Sequence, residues 1–226
     1  MSNDELIRNI KTHKKYKGQL LLYRDIQASK INEKYNLNTQ FEYVLNAIGI
    51  RLFDFQEKAI LAYQDDKDIF IAGGYGSGRS TTIDILSVYT LFFQGQSIIY
   101  LLPNTTQLEE KSERLRSSIQ KIIETIPFTI TFSDSSEHLI EKLKHYPEIV
   151  ITTAEIFYNC IKKYSSDKVL RDFLFSLGLV GIEKIELYKP KEIIFITRLI
   201  NLLDFFSNTR FAITSSSDED FPSFSN

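Results

Sequence analysis

Repeatedly along this chain a short apolar run with no polar face gives way to a segment whose apolar residues recur at helical spacing. Asp68-Ile69-Phe70-Ile71-Ala72, Ser97-Ile98-Ile99-Tyr100-Leu101-Leu102 and Glu148-Ile149-Val150-Ile151-Thr152 are the clearest such runs. A strand with one wet face alternates apolar and polar residues, whereas a strand covered on both faces reads as unbroken hydrophobicity. Strands of the second kind, separated by amphipathic helices, require a mostly parallel central sheet with helices on both faces, a three-layer α/β sandwich. The pattern predicts strands at 68–72, 97–102, 128–132, 148–152, 177–182 and 210–214. Helices are expected at 41–48, 53–63, 80–93, 139–145, 154–163, 166–175 and 191–206. A further helix carries Leu108, Leu115, Ile119, Ile122 and Ile123.

Composition narrows the function classes. The 226 residues suit one well-cored domain. With 27 basic and 29 acidic side chains the net charge is −2, which excludes general cationic attraction to nucleic acid and leaves only a local basic face. The one cysteine, Cys160, excludes a disulfide framework and reads as a core residue; the three histidines form no metal cluster. No apolar run is long enough to span a bilayer and the N-terminus does not resemble a signal peptide, so the expectation is a cytoplasmic protein with no membrane partner. Residues 1–40 carry eight Lys/Arg against four acids and read as a basic arm packing on the core. Residues 41–217 form the main domain, and 218–226 a short acidic and Ser/Phe-rich tail.

One segment carries chemistry. Gly73-Gly74-Tyr75-Gly76-Ser77-Gly78-Arg79-Ser80 follows an expected strand and opens an expected helix. Glycines let backbone N–H groups converge on an anion, and the helix directs its positive end to the same place. The spacing Gly-x-x-x-x-Gly-x-Ser is that of a phosphate loop, with the Ser80 hydroxyl where Mg²⁺ would be held. Arg79 stands where lysine is usual: the charge is kept, but a planar fork replaces a slim ammonium. A glycine-rich turn that no longer holds a nucleotide is the competing reading.

The order of segments resembles the first RecA-like domain of a superfamily 2 (DEAD/DEAH-like) helicase, from about Leu52 to Ser217. Leu52-Phe53-Asp54-Phe55-Gln56 is similar to the family's Leu-Tyr-x-x-Gln element, whose glutamine reads adenine. The turn at 73–80 matches its phosphate loop. Leu102-Pro103-Asn104-Thr105-Thr106-Gln107-Leu108 and Ile151-Thr152-Thr153-Ala154-Glu155-Ile156-Phe157 resemble its two backbone-binding motifs, and Ile213-Thr214-Ser215-Ser216-Ser217 stands where Ser-Ala-Thr belongs. The resemblance implies a RecA-like fold, ATP held by Gln56, Gly73, Gly74, Gly76, Ser77, Gly78, Arg79, Ser80 and Thr81, and Mg²⁺ held by Ser80 and Glu183. It implies DNA or RNA contacts through Pro103, Thr105, Thr106, Thr152 and Thr153.

The departure is in the Asp-Glu pair that holds the metal and polarises water. Here Leu179-Val180-Gly181-Ile182 runs into Glu183-Lys184-Ile185-Glu186-Leu187-Tyr188. Aligning the tyrosine puts Glu183 at the aspartate and Lys184 at the glutamate; aligning the glutamate leaves Ile182 for the aspartate. Either way the carboxylate pair is broken, with Glu183 the one catalytic candidate. Loss of a general base costs about 10²–10⁴-fold, roughly 3–5 kcal/mol of barrier. The expectation is a degenerate helicase-like ATP-binding domain, not a helicase on its own, completed by a second RecA-like domain or a protein subunit. The alternative is a dead RecA-like module that binds nucleic acid or protein. A small-molecule phosphate-loop kinase lacks an evident lid or acceptor site.

Overall fold

The structure is a computed structural model that describes residue 41 and residues 52–73, 76–123, 128–206 and 209–216. The expected arm at 1–40, most of the expected helix at 41–48 and the tail at 218–226 lie outside the described residues. Among the described residues the chain runs α1 (Asp54–Gln64), β1 (Ile69–Ala72), α2 (Arg79–Tyr89), β2 (Ser97–Leu102), α3 (Leu108–Ile123) and β3 (Ile130–Phe132). It continues through α4 (Ser136–Leu143), β4 (Ile149–Thr153), α5 (Ala154–Tyr164), α6 (Lys168–Ser176), β5 (Leu177–Ile182), α7 (Pro190–Phe206) and β6 (Arg210–Ser215).

The six strands form one sheet in the order β1-β6-β5-β2-β4-β3, and every pairing is parallel. Strand parity explains the unbroken apolar runs. Ile98, Tyr100 and Leu102 join Ile83, Leu86, Leu108 and Leu115 in a core beneath α1, α2 and α3. Their neighbours Ile99 and Leu101 point the other way, into a second core with Leu139, Phe157, Leu170 and Leu199 from α4 to α7. Neither side of β2 meets water, so neither needs a polar residue. The molecule is the three-layer RecA-like sandwich expected.

Differences from the sequence reading are local. The helix expected at 80–93 is α-helical only to Tyr89, then widens into a π-helical turn, Thr90–Gln94, closed by Gly95 at φ 67°. Thr90 explains part of this: its hydroxyl donates to the Leu86 carbonyl at 2.8 Å and meets the Tyr63 hydroxyl at 2.6 Å, drawing the backbone toward the core. The third strand begins at Ile130 rather than 128. Gly181 permits the tight seat of α2, since a Cβ there would lie 2.7 Å from the Ile83 Cγ2 and 3.2 Å from the Tyr100 ring.

Because all strands run the same way, their carboxyl ends share one edge. The glycine turn follows β1, the Pro103 loop β2, Thr153 closes β4 and Glu183 follows β5. That edge is where open α/β sheets bind ligands.

Candidate nucleotide site

The turn after β1 starts from a fixed point: the Gly73 N–H donates to the Ser215 carbonyl at the end of β6, 3.2 Å away. Gly76 and Gly78 take φ of 74° and 86°, the left-handed region that costs other residues about 1–2 kcal/mol. Gly78 is the N-cap of α2, and no side chain caps that helix. By contrast Ser135, Thr153 and Asp167 cap α4, α5 and α6 with their own oxygens. The first turn of α2 carries no acid, so its positive end is not neutralised from within. The Ser77 Oγ and the Arg79 Nη1 are buried and have no hydrogen-bond partner among the described residues. Both side chains lie at the space a Gly73 Cβ would enter, with the Ser77 Oγ 3.3 Å and the Arg79 Cδ 3.9 Å from that point. A buried donor left unpaired costs about 1–3 kcal/mol, and two in one glycine turn fit an anion as their missing partner. Ser80 is half-buried and Thr81 exposed on the same first turn; Gly74 lies outside the described residues.

Gln56 is 2% exposed and already engaged at both ends of its amide. Its Oε1 accepts from the Phe53 N–H at 3.0 Å, and its Nε2 donates to the Gly78 carbonyl at 3.3 Å. It ties the start of α1 to the glycine turn. Beside it Phe53 and Phe55 stack with centroids 6.1 Å apart, and Phe53 is 63% exposed.

Glu183 is the first residue beyond β5, and strand parity carries it to the face of α2 and α3. There its carboxylate is taken. Lys111 Nζ donates to Oε1 at 2.5 Å, and Arg114 Nη2 lies 3.2 and 3.1 Å from Oε1 and Oε2. The same ammonium reaches the Asp84 Oδ1 at 2.8 Å, an oxygen that also accepts from the Tyr100 hydroxyl at 2.8 Å. Lys111 sits 4.1 Å from the Tyr100 ring centroid and is 4% exposed. Burial first, then the Asp84 charge, holds the Tyr100 hydroxyl well above its usual range, so it stays a donor. Sequence reading missed Lys111 and Arg114 entirely. A divalent ion at Glu183 would have to displace two cations, so this carboxylate does not fit Mg²⁺, and a base bonded to an ammonium is poorly placed to take a proton.

Lys184 does not substitute. It is exposed, with φ 55°, and its backbone N–H donates to the Thr214 Oγ1 at 2.9 Å. Thr214 thus joins the end of β6 to the loop after β5. The Tyr188 hydroxyl donates to the Leu101 carbonyl, bracing the same loop against β2.

The expected strand-binding residues divide. Thr105 and Thr106 are exposed on a 3₁₀ turn after β2, behind a buried Pro103. Thr153 is half-buried and accepts from the Ile156 N–H at 3.3 Å as the cap of α5. Thr152 is a correction: it is 0% exposed and its hydroxyl donates to the Ser133 carbonyl at 2.8 Å, because it lies within β4, which is covered on both faces.

Comparison with known proteins agrees with this geometry. No curated protein matches the chain. The crystal structure of the DUF1998 helicase MrfA bound to DNA and AMPPNP is similar, with TM-score 0.64 and 18% identity over 82% of this chain and 27% of that one. A second MrfA structure gives TM-score 0.64 and 19% identity over 82% of this chain and 30% of that one. The chain thus spans less than a third of MrfA, and at such identity the likeness establishes the fold alone. The model of the DEAD/DEAH box helicase family, however, matches residues 53–180, more than half of the 226. The chain therefore belongs to the DEAD/DEAH box helicase family and folds as a RecA-like domain.

Proposed function

We propose that this domain binds ATP by its polyphosphate at the 73–80 turn without hydrolysing it at a motor's rate, and uses the bound state to hold a nucleic-acid strand. The observation that carries the reading is the pair of buried, unpartnered donors, Ser77 Oγ and Arg79 Nη1, at the uncapped end of α2. Gly76 and Gly78 would supply backbone N–H groups, Ser77 and Arg79 their side chains, and Ser80 and Thr81 the first helical turn, with the glycine turn anchored through the Gly73 N–H on Ser215. Gln56 would hold the turn in shape. ATP brings four negative charges and its own phosphoanhydride chemistry; Arg79 and the helix end offset part of that charge.

Hydrolysis needs a held water and a free carboxylate, and Glu183 is bonded to Lys111 and Arg114. The exposed Thr105 and Thr106, with Thr153, stand at the sheet edge as candidate contacts for DNA or RNA backbone. MrfA, a helicase of the same fold, has been crystallised with DNA. The test is a thermal shift with ATP: a ligand that binds only the native state at 100-fold over its Kd adds about 2.7 kcal/mol. Arg79→Ala should cut that gain to about 1.4 kcal/mol or less at the same ATP concentration. ATP turnover at ordinary rates by the purified chain, lost in Arg79→Ala, contradicts the reading.

A further inference from the structure

We infer that the nucleotide site of this domain works without a divalent cation, because Lys111 and Arg114 act as built-in cations on the carboxylate a metal would use. The inference rests on the nucleotide reading above and specifies its ionic requirement. Lys111 lies between two carboxylates from different elements, Asp84 on α2 and Glu183 after β5, 2.8 and 2.5 Å from its ammonium. The ammonium thus occupies the Glu183 carboxylate to which the family resemblance assigns Mg²⁺. The side chains of Lys111, Asp84 and Glu183 are only 4%, 13% and 7% exposed, so this pairing is little screened by water. Arg114 adds a second positive charge on the remaining Glu183 oxygen. The acidic charge at this position is fully matched, two cations to two anions, and an added metal would meet repulsion rather than a vacancy.

Access is not the obstacle. A cleft of about 80 Å³ reaches Lys111 and Glu183 past Pro103, Gln107 and Glu110. Among the described residues no cluster of three or more His, Cys, Asp or Glu offers another metal position. The polyphosphate charge therefore falls to Arg79 and the α2 amino end.

The experiment has two arms on the full chain. In the first, Mn²⁺ alone is titrated in and free Mn²⁺ is followed by its electron paramagnetic resonance signal. The wild-type chain should leave the signal as in buffer, whereas Lys111→Met combined with Arg114→Met should take up one Mn²⁺. Stoichiometric uptake by wild type overturns the inference, and so does a variant shown folded by circular dichroism that takes up none. If the double variant does not fold, the wild-type titration still decides. In the second arm a fluorescent ATP analogue is titrated with Mg²⁺ and with EDTA. Dissociation constants should agree within about threefold, while tenfold or greater loosening in EDTA overturns the inference. No binding in either buffer removes the nucleotide reading instead, and the Mn²⁺ arm then judges this one alone.

Discussion

Lys111→Met isolates the ion-pair network with little change in side-chain volume. It leaves the Asp84 and Glu183 carboxylates, 13% and 7% exposed, without their shared ammonium. Removing one partner of a buried pair costs about 3–5 kcal/mol, because the other charge stays desolvated. Arg114 still contacts Glu183 and the Tyr100 hydroxyl still serves Asp84, so the low end, about 3 kcal/mol, is expected. For a chain of this size 1 kcal/mol moves Tm by about 2–4 °C, giving a fall of about 6–12 °C. Thermal and urea unfolding followed by circular dichroism measure it. Lys191→Met is the internal control: its pair with Glu155 is 2.9 Å long but 69% and 41% exposed, and should contribute less than about 1 kcal/mol. A double-mutant cycle of Lys111→Met with Glu183→Gln should show coupling above about 1 kcal/mol. A Lys111→Met loss no larger than the control's, or a cycle without coupling, refutes the reasoning.

Gly181→Ala puts a methyl 2.7 Å from the Ile83 Cγ2 inside the α2 face of the sheet and should destabilise by about 1–3 kcal/mol in urea unfolding. Thr153→Ala removes the cap of α5 at a cost of about 1 kcal/mol, whereas Thr105→Ala and Thr106→Ala should leave stability unchanged and weaken single-strand binding measured by fluorescence anisotropy. Burial pushes the Cys160 thiol and the Tyr89 hydroxyl each up to about 12, from ordinary values of 9.0 and 10.0. Above those ordinary values the unfolded chain ionises while the native chain does not, so the contribution of these two groups to unfolding free energy should be constant up to pH about 9 and fall toward pH 12. The same burial should keep Cys160 from alkylating reagents until the chain unfolds.

The fold was legible because β2, β4 and β5 are covered on both faces, and burial of that kind writes an apolar run into the sequence. The glycine turn was legible because the backbone conformations it needs favour glycine at Gly76 and Gly78. The ion-pair network was not. Lys111 and Arg114 lie on a strongly amphipathic helix among Glu109, Glu110 and Glu113, where charged residues read as a solvated face. Only the packing of α3 against α2 and the end of β5 shows that Lys111 is buried, and its partner Glu183 is 72 positions away. Thr152 misled for a related reason. Both faces of β4 are covered, so Thr152 inside the strand is buried and only Thr153 at its very end is partly open, a boundary that a Thr-Thr pair does not mark. The motif singled out Gln56 as an adenine contact, but its bond to the Gly78 carbonyl depends on how α1 lies over the turn, which no motif spells out.

The measurement closest to the central claim is equilibrium dialysis of radiolabelled ATP against the wild-type chain and Arg79→Ala, both in EDTA. One saturable site in wild type, weakened at least tenfold (about 1.4 kcal/mol) by the substitution, is what a metal-free polyphosphate turn requires. Retention that appears only after Mg²⁺ is restored, or that survives the loss of Arg79 undiminished, would contradict it.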